Sequence, residues 1–479
     1  MKPILFIHGY SSEGHGNTVE EIYGTLPDDL RRAFGNKKVL DLNLSRWISL
    51  SDGVNLDDVS LAMDRALRSR HKALLRDGFH VVIHSTGALV VRNWIRNHCL
   101  DPSTCPIDNI VHLAGAHFGS GLAHIGSGQF ARWARLLALH TRSGIQVLDE
   151  LMFGSWKSLD LALHFIKPGG DMFDDYGVQE FCIIGSQTPK ALRHIPVRYI
   201  KEDSSDNTVR TSAGNLNFNY ISITPKHDVD SLSVPRLKKL NEERLEEKTL
   251  SGRYYAIDIS GLSRERRRIP YTIAYETAHF GEDIGIVIGS KNRKSIVPLV
   301  TTALSTPVDD TAYAKVADRF SANTEKTFKR AARLSSRLLE WNVQQQYEGH
   351  AQLIFRIRDQ HGNGVRDFDI MFRSRGSKGT KLEKLIEDRR TNKNHAGTIT
   401  FYLRTQSFHR GNWKDLIGDL CPVDVEITGT ETQSDEIAYV PLLMRFSGTQ
   451  ARSVINTFQT TIIDIELARL PTGSVFRIK

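Results

Sequence analysis

Six short runs of aliphatic and β-branched residues punctuate the chain up to Tyr275: Ile4–His8, Val39–Leu44, His80–His84, Asn109–Ala114, Phe181–Ile184 and Tyr271–Tyr275. None alternates apolar with polar side chains for long, so each reads as a strand buried on both faces. Longer amphipathic stretches lie between them, among them Leu56–Leu67, Gly87–Ile95 and Ile296–Leu304. Gly289 and Ser290 precede the last of these and Pro307 follows it. Strand and helix in alternation predict a mostly parallel sheet wrapped by helices.

At 479 residues the chain is too long for one ordinary core. Its character changes after Tyr347. Leu353–Arg358 runs into the turn-rich Asp359–Gly364 and then Phe368–Phe372. Further short strands recur at Thr398–Leu403, Val423–Ile427, Ala438–Met444 and Thr461–Leu467, with no helical pattern between them. That spacing predicts a β-sandwich. The expected division is an α/β domain over 1–308, a helical linker over 309–345 and a β-sandwich over 346–479. Two segments interrupt the α/β alternation. Residues 122–166 carry large apolar side chains at helical spacing, including Trp133, Leu137, Phe153 and Trp156. Residues 225–268 are polar and charged.

Hydrophobic content of 40% is ordinary for a globular protein. The net charge of +8 suits an anionic partner such as a membrane surface. Its tightest basic run, Arg264 and Arg266–Arg268, is too small to point to nucleic acid. Cys99, Cys105, Cys182 and Cys421 show neither metal-ligand nor disulfide-framework spacing. The apolar run at Ile4–Ile7 is too short for a signal peptide, and no run has the length of a membrane span. The expectation is a soluble protein, cytoplasmic as made, or exported by a route that reads no such signal.

The chemistry concentrates in Val81-Val82-Ile83-His84-Ser85-Thr86-Gly87-Ala88. A buried strand ends at a serine and a helix starts directly after it. Such an elbow projects the hydroxyl from the sheet edge, and the helix N-terminus supplies N–H groups and partial positive charge beside it. A serine there also serves as a plain helix cap. Ile83 stands where G-x-S-x-G elbows carry glycine, and its branched side chain is expected to crowd the turn. Phe6-Ile7-His8-Gly9-Tyr10, ahead of the glycine-containing loop Ser11–Asn17, ends the first strand in a His-Gly turn suited to a second oxyanion donor.

Together with these segments, Leu113-Ala114-Gly115-Ala116-His117-Phe118-Gly119-Ser120-Gly121 resembles the P-H-x-G-S turn of lipases. Ser205-Asp206-Asn207-Thr208-Val209-Arg210-Thr211-Ser212-Ala213 resembles their G-D-G-T-V-P-x-S-A acid loop. Ala116 replaces the usual proline and Ser205 the usual glycine. Over about residues 3–305 the chain thus resembles the α/β-hydrolase superfamily. Its lipase-like branch includes lecithin:cholesterol acyltransferase, bacterial triacylglycerol lipases and inositol deacylases.

The resemblance implies a serine nucleophile at Ser85 and an acid at Asp206, with Asp203 as the alternative. It implies a base at His279, which follows the last predicted strand, with His227 as the alternative. The backbone N–H groups of Tyr10 and Thr86 are the implied oxyanion donors, and His8, Gly9, His84, Gly87 and His117 support the site. No metal or organic cofactor is required. The implied activity is cleavage of carboxylic esters through an acyl-enzyme, as in a lipase or phospholipase, with 122–166 as a lid. The alternatives are a carboxylesterase or acyltransferase on smaller substrates, or a lapsed hydrolase scaffold that binds. The C-terminal domain is expected to bind protein or lipid, or to stabilise the enzyme.

Overall fold

The computed structural model describes residues 2–8, 18–49, 51–121, 144–189, 202–227, 254–334, 343–431 and 436–471. They divide into two compact units. The first comprises residues 1–217, 268–348 and 408–413, and the second residues 218–267, 349–407 and 414–479.

The first unit is built on strands β1 (Ile4–His8), β2 (Val39–Asn43), β3 (Phe79–His84), β4 (Ile107–Leu113) and β5 (Gln179–Ile184). The chain then leaves for β6 (Asn219–Pro225) and β7 (Tyr255–Gly261) and returns as β8 (Tyr271–Ile273). The six strands of this unit lie in the order β2-β1-β3-β4-β5-β8, every neighbouring pair parallel. Burial on both faces explains their composition: β1 and β5 are buried at every position. All six predicted strands form, within a few residues at their ends. The three named helical stretches appear as Leu56–Arg70, Gly87–His98 and Arg293–Ser305.

Residues 310–331, expected within a linker, instead form one helix packed on the edge of this sheet. Asp309 caps it by accepting from the Ala312 N–H at 2.8 Å. Thr324 Oγ1 accepts from the Ile273 N–H at 3.0 Å, and Thr327 Oγ1 donates to the Ile273 carbonyl at 2.8 Å. Two helix hydroxyls therefore satisfy the outer edge of β8, where an unpaired backbone would invite strand addition.

The second unit holds two sheets and a short ribbon. Its remaining strands are β9 (Gly349–Asp359), β10 (Asp367–Ser374), β11 (Ile386–Thr391), β12 (Thr398–His409), β13 (Asn412–Asp415), β14 (Val423–Thr430), β15 (Ile437–Tyr439), β16 (Leu442–Phe446), β17 (Thr460–Leu467) and β18 (Arg469–Pro471). One sheet runs β11-β12-β9-β17-β6-β7, with β13 paired to β12, and the other runs β10-β14-β16. β15 and β18 form the ribbon. Phe355 and Phe401 from the larger sheet meet Phe372 from the smaller at 6.0 and 5.0 Å, edge to face, in a core shared with Ile221, Leu353, Val425 and Ile463.

The 225–268 segment, expected as an insertion of the first domain, lies largely in the second unit. β6 pairs in parallel with β17, and β7 pairs with β6, so residues 218–267 belong with the C-terminal strands. A strand some 240 positions away in sequence completes β6, and no local pattern announces such a pairing. Residues 228–253 lie outside the described residues.

Candidate active site

Ser85 follows β3 directly and sits at φ 53°, one of the few non-glycine residues in left-handed conformation. Such a conformation costs about 1–3 kcal/mol and persists only where the surroundings impose it. Here the Ser85 N–H donates to the Leu113 carbonyl at 3.1 Å, and the Ala88 N–H donates to the Ser85 carbonyl at 3.1 Å. The expected crowding at Ile83 does not arise. Ile83 is fully buried, and even a Cβ placed on Gly87 would stand 3.4 Å from that of Ile83, an ordinary contact. Thr86 makes no side-chain cap on the helix it opens. The Leu89 N–H donates to the Thr86 carbonyl at 3.0 Å, so the turn closes on itself and sets the positive end of the helix dipole beside the serine.

His279 Nε2 lies 3.0 Å from Ser85 Oγ, and its Nδ1 lies 2.8 Å from Asp206 Oδ2. Asp206 is fully buried and His279 is 5% exposed. The Asp206 carbonyl also accepts the His279 N–H at 2.9 Å, so acid and base are locked through main chain as well as side chain. Asp206 Oδ1 accepts from the N–H groups of Thr208 (3.0 Å) and Val209 (2.7 Å). The structure thus brings together Ser85, Asp206 and His279 in one hydrogen-bonded line. Both ring nitrogens of His279 are thus taken by Asp206 and Ser85, and His227 is exposed in the second unit.

The segment resembling a lipase turn acts as a brace for the acid loop. Ser120 Oγ donates to the Thr208 carbonyl at 2.7 Å, and the Phe118 N–H donates to the Ala213 carbonyl at 3.2 Å. Gly119 has φ 100°, and a Cβ there would strike the Phe153 backbone at 2.8 Å, so both conformation and space require glycine. The fully buried Arg210 pairs with Glu202 and lays its guanidinium 4.3 Å over the Phe153 ring.

Phe153, Leu148, Leu151 and Phe165 are buried in the first unit, and Trp156 is half-buried. The half of the lid-like segment that is described therefore packs onto the core. Residues 122–143, with Trp133, lie outside the described residues, as do Gly9 and Tyr10.

The supporting histidines have separate tasks. His8 Nε2 is 3.2 Å from Asp41 Oδ2, which it holds below the usual carboxylate range. His117 stands edge-on to His112 at 4.6 Å. Burial, then the His112 and Arg92 charges, keep it neutral. His112 bonds Glu180 at 3.0 Å in a buried cluster with Arg92. His84 lies against His279, with ring centroids 4.5 Å apart.

Two residues beyond the predicted domain boundary also hold the site. The Ser204 N–H donates to the Gln346 carbonyl at 3.0 Å, the Thr188 N–H donates to Gln346 Oε1 at 2.8 Å, and the Glu276 N–H donates to the Tyr347 hydroxyl at 2.9 Å. One 3₁₀ turn, Gln345–Tyr347, thus ties the loops that carry acid and base. Its sequence has no periodicity or motif by which this could be foreseen. Among the described residues no group of histidine, cysteine or carboxylate side chains is placed to hold a metal ion, and no helix is long and apolar enough to cross a membrane.

No family model matches this sequence, and no curated protein sequence matches it. Solved structures do. Phospholipase PlaB from Legionella pneumophila, determined alone and in complex with thio-NAD, matches with a TM-score of 0.77 at 21% identity. The alignment covers 100% of this chain and 96% of that chain. The mature form of the Bacillus licheniformis lipase BlEst2 matches with a TM-score of 0.30 at 15% identity, over 45% of this chain and 79% of that one. With its six-stranded parallel sheet, its serine elbow and this full-length likeness, the chain has the α/β-hydrolase fold, extended by a second, β-rich unit.

Proposed function

We propose that this protein is a serine ester hydrolase that removes acyl chains from phospholipids, with Ser85 as nucleophile, His279 as base and Asp206 as the orienting acid. The observation that carries the proposal is the line Ser85 Oγ to His279 Nε2 (3.0 Å) to Asp206 Oδ2 (2.8 Å), at an elbow beside an uncapped helix N-terminus. In this reading His279 takes the hydroxyl proton as Ser85 attacks the ester carbonyl. Asp206 keeps the proton on Nδ1 and balances the imidazolium. The Thr86 N–H, with that of Tyr10, holds the oxyanion, each such donor being worth about 2.7–4 kcal/mol. Water activated by His279 then releases the acid from the acyl-enzyme.

The substrate class rests on the full-length likeness to a phospholipase and on the net charge of +8, which favours an anionic lipid surface. The test is fluorophosphonate labelling of wild type and Ser85→Ala, followed by turnover of phospholipid vesicles and of acetyl, butyryl and long-chain p-nitrophenyl esters. Labelling of wild type alone, with long-chain phospholipid preferred, is expected. Labelling that survives in Ser85→Ala removes the nucleophile assignment. Preference for acetate replaces the phospholipase reading with a carboxylesterase.

A further inference from the structure

Ser85, Asp206 and His279 account for proton movement, but His279 stands on the loop between β8 and the helix Arg293–Ser305. Loops are where a chain moves most, and a base displaced by about 1 Å can cost about 10²-fold in rate. The loop is held in part by itself. The Ala278 N–H donates to the Ile284 carbonyl, and the Ile286 N–H donates to the Ala278 carbonyl, both at 2.8 Å. The residue just before the base is therefore clasped by a second pass of the same loop, and is only as firm as that pass.

Asn292 fastens the two passes together. It stands at the N-cap of the helix Arg293–Ser305, where an asparagine side chain ordinarily accepts helix N–H groups. It makes no such bond. Its Nδ2 donates instead to the carbonyls of Ile284 (2.9 Å) and Gly285 (3.2 Å), and to Thr277 Oγ1 (3.3 Å), two residues before His279. Carbonyls only accept, so the nitrogen must be the amide atom that faces them. Asn292 is 3% exposed, and its Oδ1 is buried without a hydrogen-bond partner among the described residues. A helix cap forgone and a buried oxygen left unpaired both work against stability. The carboxamide is placed for the base loop and not for the helix.

We propose that Asn292 is a positioning residue that sets the reach of His279 to Ser85 by fastening the two passes of the base loop through its Nδ2. This rests on the reading of Ser85, His279 and Asp206 as a catalytic triad. Asn109 offers a matched case at the other end of the same helix. It is fully buried, and its Nδ2 donates to the carbonyls of Ala303, Leu304 and Thr306 at 3.0, 3.4 and 2.9 Å. Loss of either amide removes the same kind of bonds from the same unit, but only Asn292 bonds the loop that carries the base.

The experiment compares Asn292→Ala with Asn109→Ala. Both are assayed well below their thermal midpoints for kcat and KM on a soluble p-nitrophenyl ester and for the rate of fluorophosphonate labelling. Both midpoints are expected to fall. Only Asn292→Ala is expected to lose about five- to thirtyfold in kcat and labelling rate, with KM within about twofold, as for loss of a positioning hydrogen bond. Equal kcat in the two variants overturns the proposal, as does a change in KM alone. Should Asn292→Ala not fold, Thr277→Val takes its place, since it keeps the shape and removes the hydroxyl that Asn292 bonds. A kcat for Thr277→Val equal to that of Asn109→Ala then overturns the proposal. Should Asn109→Ala not fold, Thr327→Val serves as the stability control. An unlabelled wild type defeats the triad reading itself. Labelling lost in Ser85→Ala but unchanged in Asn292→Ala defeats only the role of Asn292.

Discussion

Asp206→Asn separates the chemical role of this side chain from its structural one. Oδ1 accepts the Thr208 and Val209 N–H groups at 3.0 and 2.7 Å, while Oδ2 faces His279 Nδ1 at 2.8 Å. An asparagine carbonyl can take over the first pair of bonds without moving the loop. Its amide nitrogen must then stand where Oδ2 stood and donate to Nδ1. That forces the imidazole proton onto Nε2, so the atom facing Ser85 Oγ at 3.0 Å can no longer accept a proton. The tautomer error in serine hydrolases costs about 10⁴-fold in kcat, or about 5.4 kcal/mol of transition-state stabilisation. The folded state keeps its backbone bonds, so the thermal midpoint of Asp206→Asn should stay within a few degrees of wild type. Asp206→Ala should lose activity and also unfold earlier, because two buried N–H groups are left unpaired. The assay is hydrolysis of a soluble p-nitrophenyl ester beside calorimetry, with Asp203→Asn as control. A variant Asp206→Asn that retains more than about a tenth of kcat refutes the reasoning, and so does an equal loss in Asp203→Asn.

Three further perturbations follow from the same geometry. Burial pushes the Glu180 carboxyl up, yet Arg92 and His112 outweigh it and hold the group below the usual carboxylate range. A depressed folded value means that its contribution is present above the unfolded value and lost as pH falls through the folded one. Glu180→Ala should therefore cost about 3–5 kcal/mol near pH 7 by stranding buried Arg92, with the penalty shrinking in acid, as read from denaturant melts across pH. Ser85→Gly should be about 1 kcal/mol more stable than Ser85→Ala, both being inactive, since alanine at φ 53° carries the left-handed penalty that glycine escapes. Thr327→Val removes the hydroxyl that donates to the Ile273 carbonyl at 2.8 Å and should lower stability by about 1–2 kcal/mol in urea melts, with kcat unchanged.

The elements that could be read from the chain alone are those whose cause is local. Strands buried on both faces declare themselves by composition, which is why β1 was legible over Ile4–His8. Ser85 was legible because strand, serine and helix are contiguous. Asp206 and His279 could be placed only by motif likeness and chain order, with Asp203 and His227 left as alternatives. The expected 309–345 linker and 225–268 insertion differ from the two compact units for one reason. Whether an amphipathic helix spans or packs, and which sheet a polar hairpin joins, depends on partners far away in sequence. Thr324 and Thr327 on β8, and β6 on β17, are such partners.

Order along the chain sufficed for a parallel, helix-wrapped sheet, a serine at its turn and a β-rich remainder, because neighbours in sequence impose period, cap and bend. Distance was settled only in three dimensions: that Asp206 meets His279, that Ile83 is accommodated at the elbow without crowding it, and that Gln346 and Tyr347 clamp loops from beyond the expected boundary. The hydrogen bond of 3.0 Å between Ser85 and His279 joins residues 194 positions apart, and nothing in the one-dimensional spacing of side chains encodes that approach until the sheet has formed.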